Sequence, residues 1–378
     1  MKKLEENQFI HDNKYPHLKT QTPYYSLTGA PCSYLKEWVA NTQLALKPAR
    51  ILWIDQEHDQ QDHSQHDYKA VLSGDHFRLQ AFSPNFSGGF LPDFHLHLFN
   101  GNHFEKDKQI LFLHEKKIES TLRKIDRLND VAIVIQCQDH LEIPDPLQQF
   151  IQDRNVRTIR ADDFQAWIYF ISENLPSPPL KALLLGGGRS KRMGTDKLNI
   201  QWRDKPHWQR VRELFDEIQL PLHLSIRADQ LHDPFFSELS VPLVADRISE
   251  AGPVAAIISA QLSDPTSAWL VLACDLPLMG VDELKHLIHK RNSYYDATSF
   301  YNEQMGFHEP LAAIWEPHTA SHVMASFARG IQCPRKILGQ CNVKSVIPLN
   351  AESILNANTP EDRTNILSLL KHSQKDQS

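Results

Sequence analysis

The stretch Leu185-Gly-Gly-Gly-Arg-Ser-Lys-Arg-Met-Gly-Thr-Asp-Lys197 concentrates more chemistry than any other part of the 378-residue chain. Three glycines follow directly on an apolar run, Ala182-Leu-Leu-Leu185. Glycines at that place let the backbone turn sharply and bring amide donors close to an anion. Arg189, Lys191, Arg192 and Lys197 put four cations within nine residues, so charge and donors are offered together to a polyphosphate. A glycine-rich turn beside a solvated basic face would explain GGG alone. It does not explain the whole order of strand, glycines, RMG and DK.

A second stretch, Trp269-Leu-Val-Leu-Ala-Cys-Asp-Leu-Pro277, is a buried-strand pattern that ends in an acid and is then stopped by proline. Ligands of open α/β sheets bind at the carboxyl ends of the strands, and an aspartate there can hold Mg²⁺ against phosphate oxygens. Capping of the next turn is the plain alternative for Asp275. A third stretch repeats the pattern, with Val244-Ala-Asp246 followed by Gly252-Pro253.

The elements that must position these residues alternate. Strands are predicted at Ala182–Leu185, His223–Ile226, Leu243–Val244 and Trp269–Ala273. Helices are predicted at Pro206–Ile218, Pro253–Leu262, Val281–Lys290 and Pro317–Ala328. The first half has the same grammar, with strands at Tyr24–Leu27, Ile51–Ile54, Ile110–Leu113, Val131–Ile135 and Val156–Ile159 and a helix at Tyr34–Leu46. Short apolar strands separated by helix-length segments imply parallel sheets. Asn174-Leu-Pro-Ser-Pro-Pro-Leu180 holds three prolines in six residues and can neither continue a helix nor pair inside a sheet. The expected organisation is an arm at 1–22, an α/β domain at 23–173, a linker at 174–180, a second α/β domain at 181–370 and a tail at 371–378.

Composition narrows the class. A formal net charge of −6 without a long basic run argues against nucleic acid as partner. The five cysteines are odd in number and widely spaced, which reads as reduced thiols. The polar N-terminus and the absence of any membrane-length apolar run predict a soluble cytoplasmic protein with no membrane partner.

With these motifs in order, the second half resembles the molybdenum cofactor guanylyltransferases, the MobA-like members of the glycosyltransferase-A-like nucleotidyltransferases. Their signature LAGGxSxRMGxDK matches Leu185–Lys197 except that Gly186 stands at the family's alanine. The resemblance continues through Asp246 and Gly252-Pro253, where Ala256 replaces a second glycine, and through Asp275. It ends with Glu309-Pro-Leu-Ala-Ala-Ile-Trp315 and Asn356-Ala-Asn-Thr-Pro-Glu-Asp362. It implies a Rossmann-like second domain in which Leu185, Gly187, Gly188, Arg192 and Lys197 bind the nucleotide. Asp246 would read the guanine edge and Asp275 would be the Mg²⁺ ligand, with Lys197, Arg192 and Asp275 as the catalytic set. The implied substrates are GTP and molybdopterin, with molybdoenzymes or their chaperones as recipients. Asn-Thr-Pro-Glu-Asp also reads as a helix start, with Thr359 at the cap and Pro360 in the first turn.

The first half resembles a degenerate P-loop domain of the MobB type. Ser26-Leu-Thr-Gly-Ala-Pro-Cys-Ser-Tyr-Leu35 sits between strand and helix, but no Gly-Lys-Ser/Thr closes the loop. The histidines of this half, including His95 and His97, read as scattered surface residues rather than a metal set. The reaction expected of the whole is transfer of GMP from GTP to molybdopterin. The alternatives are a cytidylyl or other nucleotidyl transfer, or a non-catalytic cofactor-binding protein.

Overall fold

The computed structural model describes residues 22–56, 68–73, 76–81, 94–104, 106–175, 177–186, 198, 200–202, 205–249 and 251–375. The chain divides into two compact units that part between Pro176 and Ser177.

The first unit is built on strands β1 (Tyr24–Thr28), β2 (Ile51–Gln56), β3 (Tyr68–Ser73), β4 (His76–Ala81), β5 (Leu96–Asn100), β6 (Lys108–Leu113), β7 (Asp130–Gln136) and β8 (Thr158–Arg160). They form one sheet in the order β4-β3-β2-β5-β1-β6-β7-β8, parallel except where β3 meets β4. Parallel strands are covered on both faces, which is why β2, β6 and β7 read as continuous apolar runs. The helix Cys32–Ala45 covers one face through Trp38, whose ring lies 5.5 Å from Phe112 and 5.1 Å from Phe164. Trp167 packs in the same cluster, and its indole N–H donates to Thr42 at 2.8 Å.

Strand β5 lies at the centre of this sheet, yet it escaped the periodicity reading. Its sequence, Leu-His-Leu-Phe-Asn, interrupts the apolar run with a histidine. His95 and His97 are accordingly packed residues rather than surface ones. His95 accepts from the Arg50 amide at 2.9 Å, and burial lowers the His97 pKa to about 4.

The second unit carries β9 (Leu180–Leu185), β10 (Leu222–Ile226), β11 (Leu243–Ala245), β12 (Ala268–Ala273), β13 (Ala297–Asn302), β14 (Phe307–Trp315) and β15 (Val343–Val346). Their order is β11-β10-β9-β12-β14-β13-β15. From β9 the chain winds outward through β10 and β11, then crosses back so that β12 pairs with the other edge of β9. Strand order therefore reverses between β9 and β12, and a crevice opens beyond their carboxyl ends.

The sheet departs from the all-parallel expectation at β14, which runs antiparallel to β12 and β13. A tight turn causes this: Gly306 takes φ +69 and its amide donates to Asn302 at 2.8 Å, so the chain doubles straight back. Buried helices close the sheet faces. Pro253–Ser263 has eight buried residues among its eleven, and His207–Glu217 contributes Val211 and Phe215 to the other face.

The amino end of the sheet is fastened by charge. Glu316 is fully buried and accepts two hydrogen bonds from Arg291, at 2.7 and 2.8 Å, while Arg291 also donates to the Pro178 carbonyl at 2.9 Å. This fork ties the residue after β14 to the segment before β9. Removing the carboxylate would strand the guanidinium in a dry site. Glu316→Ala is expected to cost about 3–5 kcal/mol, read as a lowered urea midpoint. An unchanged midpoint would refute the role given to the pair.

Candidate nucleotide and metal site at the carboxyl ends of the second sheet

Strand register brings the candidate residues into one row. Leu185 pairs with Ala273 on one side and with Ser225 on the other, and Ile226 pairs with Ala245. The next residues out, Gly186, Arg227, Asp246 and Cys274, therefore share the sheet's rim. The Gly186 amide donates to Ser225 at 2.9 Å and the Asp246 amide to Ile226 at 2.8 Å, which extends the ladder to that rim.

Gly187, Gly188, Arg192 and Lys197 lie outside the described residues, as do Arg189 and Lys191; their neighbours Gly186 and Leu198 are described. Gly186 is buried, and a Cβ built on it would stand 2.7 Å from Leu198 Cδ1, 2.9 Å from Leu224 Cδ1 and 3.2 Å from the Ser225 carbonyl oxygen. Leu198 itself is fully buried in the core. The space of the family's alanine is thus filled by Leu198, so the substitution is not neutral in packing: restoring alanine would require both leucines to move. At the far end of β9, Lys181 turns away from the crevice, pairing with Asp264 at 2.6 Å.

Asp246 is half-buried at the end of β11. Burial raises its pKa to about 6, against the opposing pull of a Ser225 hydrogen bond and the Arg227 charge. Its Oδ1 is enclosed and has no hydrogen-bond partner among the described residues. Such an acceptor is suited to a ligand that brings N–H groups. Ala256, four residues into the helix behind Gly252, is 4% exposed and belongs to the core between helix and sheet. It replaces a family glycine without reaching the crevice. Gly252 takes φ +55 and Pro253 starts the helix, so the turn serves helix initiation.

Asp275 follows β12 by two residues and is held from several directions. Arg210 donates to the carbonyls of Pro277 at 2.6 Å and Met279 at 3.1 Å, fixing the loop that leaves Asp275. The Ala357 amide donates to the Asp275 carbonyl at 2.8 Å, docking the closing motif against it. In that motif Thr359 Oγ1 accepts from the Asp362 amide at 3.1 Å, while Asp362 accepts from the amides of Thr359 and Asn358, both at 2.9 Å. This reciprocal cap starts the helix Pro360–Lys375, and those hydrogen bonds hold the Asp362 carboxyl below its ordinary range. The motif is both a helix start and a clamp on the site.

One residue here had no role assigned from sequence. Glu309, 5% exposed on β14, lies within electrostatic reach of Asp275 and is hydrogen-bonded to Asn356. Burial first, and the Asp275 charge as well, raise its pKa, against the Leu311 amide, Arg335 and Asn356. The only sequence signal was the Glu-Pro-Leu motif itself. Two carboxylates converging at a strand end form a hard-oxygen donor set. Among the described residues no group of three or more His, Cys, Asp or Glu could hold a metal. Two acids fit an ion that takes its remaining ligands from phosphate and water, as Mg²⁺ does.

The raised Asp246 pKa has a stability consequence with a definite sign. Its folded pKa lies above the unfolded value, so the cost of holding it charged is absent below about pH 4 and grows as pH rises towards 6. Asp246→Asn is expected to stabilise the fold at pH 8 by roughly 1–2 kcal/mol, after discounting for partial exposure, and to do little at pH 4. Thermal unfolding at both pH values checks this; equal shifts at the two would contradict it.

The sequence model described as "MobA-like NTP transferase domain" matches residues 182–345. The molybdenum cofactor guanylyltransferase of Pseudomonas paraeruginosa is 31% identical over 199 residues, covering 49% of this chain and 92% of that protein. A molybdenum cofactor biosynthesis bifunctional protein of Synechocystis sp. is 33% identical over 184 residues, 49% of this chain and 52% of that protein, so the match spans about half of that relative's length. The structure of molybdopterin-guanine dinucleotide biosynthesis protein A from Archaeoglobus fulgidus aligns with 51% of this chain and 99% of its own, at 22% identity and a TM-score of 0.45. No helix among the described residues is long and apolar enough to cross a membrane. The chain belongs to the molybdenum cofactor guanylyltransferase family of nucleotidyltransferases, with the MobA-like domain in its second unit.

Proposed function

We propose that this chain transfers GMP from GTP to the terminal phosphate of molybdopterin and releases pyrophosphate, acting in the cytoplasm. The carrying observation is the convergence of Asp275, Glu309 and the Asn356–Asp362 motif at the end of β12, the strand paired with the one that leads into the glycine-rich loop. In the reaction a phosphate oxygen of molybdopterin forms a bond to the α-phosphorus of GTP. The bond from that phosphorus to the β-bridging oxygen breaks, and its electron pair leaves with pyrophosphate. The attacking phosphate is already an anion at neutral pH, so positioning and charge neutralisation do the work and no strong base is needed.

In this reading Arg192, Lys197 and the amides of Gly187 and Gly188 hold the triphosphate and carry the charge of the leaving group. Leu185 ends the strand against the nucleotide. The family works with a divalent metal; Asp275 would hold Mg²⁺, which when bound supplies a positive centre shared by the phosphate oxygens.

The choice of guanine follows from Asp246. Guanine presents two adjacent donors, N1–H and the exocyclic amine, which a single carboxylate accepts together. Cytosine presents one amine beside the N3 acceptor, which a carboxylate repels. Transfer from CTP is the second reading, and it fails to use the enclosed Oδ1. The product would pass to molybdoenzymes or their chaperones.

Binding of GTP, CTP, UTP and ATP with Mg²⁺ is expected to rank GTP first, and Asp246→Asn to flatten that ranking. Asp275→Ala is expected to lower kcat/KM by about a thousandfold or more, the scale of a lost charge-stabilising group, with the fold intact. Preference for CTP, or near-normal turnover without Asp275, would refute the reading.

A further inference from the structure

We propose that Glu309 is a positioning residue of the cation site: it supplies the second negative charge beside Asp275 and couples that charge to the Asn356–Asn358 loop. The inference rests on the reading of Asp275 as the metal ligand. Three independent features carry it.

The first is register. β12 and β14 run antiparallel, with Trp269 opposite Trp315 and Leu272 opposite Ala312. β12 ends at Ala273, two residues before Asp275, and β14 begins at Phe307, two residues before Glu309, so the paired strands deliver the two acids to the same rim, within electrostatic reach of each other. A like-charged pair placed there is unfavourable unless something cationic sits between or beside the two acids.

The second is the way Glu309 is fixed. Its carbonyl accepts from Ser299 Oγ at 2.9 Å, and its Oε1 accepts from the Leu311 amide at 3.3 Å. Pro310 follows it and stiffens the strand at that point. Asn356 hydrogen-bonds the carboxyl group, while its neighbour Ala357 donates to the Asp275 carbonyl. Glu309 is thus tied through its backbone to β13 and through its carboxylate to the Asn356 segment, whose next residue is bonded to Asp275.

The third is what surrounds it. Arg335 is the cation whose charge acts on Glu309, and its guanidinium is stacked 3.4 Å from the centroid of Phe307, one face of the same strand. Arg335 is exposed, so water screens it and it offsets only part of the negative charge at the rim. Contrast Glu316, the residue that follows the same strand, which is also buried but satisfied by a bidentate arginine. Glu309 has no such fork. Groups that flank a metal ligand orient it and add to its attraction, and losing one costs about 10–100-fold in metal affinity.

The test is Mn²⁺ binding to the whole chain by electron paramagnetic resonance, with thermal unfolding in parallel. Glu309→Gln keeps the shape and the hydrogen bonds but removes the charge. It is expected to weaken Mn²⁺ binding roughly tenfold without lowering Tm, and to raise the Mg²⁺ concentration needed for half-maximal turnover. Asp275→Asn is expected to remove the Mn²⁺ signal altogether. Wild-type affinity in Glu309→Gln alongside loss in Asp275→Asn would overturn this inference and leave the metal assignment standing. Wild-type affinity in both variants would overturn both.

Discussion

The site depends on β12 being paired differently along its two edges. On one edge it is parallel to β9, so Leu185 and Ala273 finish level and the glycine-rich loop starts beside the end of β12. On the other it is antiparallel to β14, so the end of one strand meets the beginning of the next. A purely parallel sheet would surround Asp275 only with strand ends of the same polarity. The reversed strand instead lets residues from its entry side, Glu309 among them, face residues from the exit side of β12. The hairpin turn at Gly306 is the local device that makes this possible.

Charge is distributed unequally over the two ends of this sheet. At the amino end, Arg291 with Glu316 and Lys181 with Asp264 are matched pairs, and Asp264 is held well below its ordinary range despite partial burial, by hydrogen bonds from Lys181, Ser267 and Thr266. At the carboxyl end, Asp246 and Glu309 are both pushed up by burial. Among the described residues, the buried fork of Arg291 and Glu316 thus lies at one end of the sheet and the raised carboxylates at the other. Perturbed acids of this kind gather where a ligand completes the electrostatics. A nucleotide with its metal would bring N–H donors to Asp246 and a positive centre to Asp275 and Glu309.

Much of the second unit was legible in the sequence because each parallel strand is an apolar run closed by a chemically distinct residue. Ala182–Leu185 before the glycines, Val244 before Asp246 and Trp269–Ala273 before Asp275 all became strands ending at the crevice. What escaped reading is what depends on partners distant in sequence. β13 and β15 carry polar residues such as Ser299 and Lys344 and show no uninterrupted apolar run. Glu309 looked like part of a strand motif, since its role comes from Asp275 and Asn356, each more than thirty residues away. Ala256 stands where the family has a second glycine, and helical phase turns it into the core. In the first unit β5 was lost to His97, which interrupts its apolar run.

The first unit shows how far the same local geometry can go without the same chemistry. β1 runs into Gly29 at φ +88, where a Cβ would stand 2.1 Å from the Phe112 carbonyl oxygen, so only glycine fits, and the helix from Cys32 follows at once. That is the strand, tight turn and helix of a phosphate loop. The loop is then committed internally: Pro31 has no N–H to donate, the Ala30 carbonyl accepts from Asn102 at 3.0 Å, and the Cys32 thiol lies 3.4 Å from His103 Nε2. The nearest helix lysine, Lys36, is drawn to the buried Asp55 at 3.9 Å. A phosphate loop needs uncommitted amides and a lysine aimed at the anion, and here proline has replaced an amide and the lysine has an internal acid. The backbone path alone therefore does not make this loop a counterpart of the one after β9.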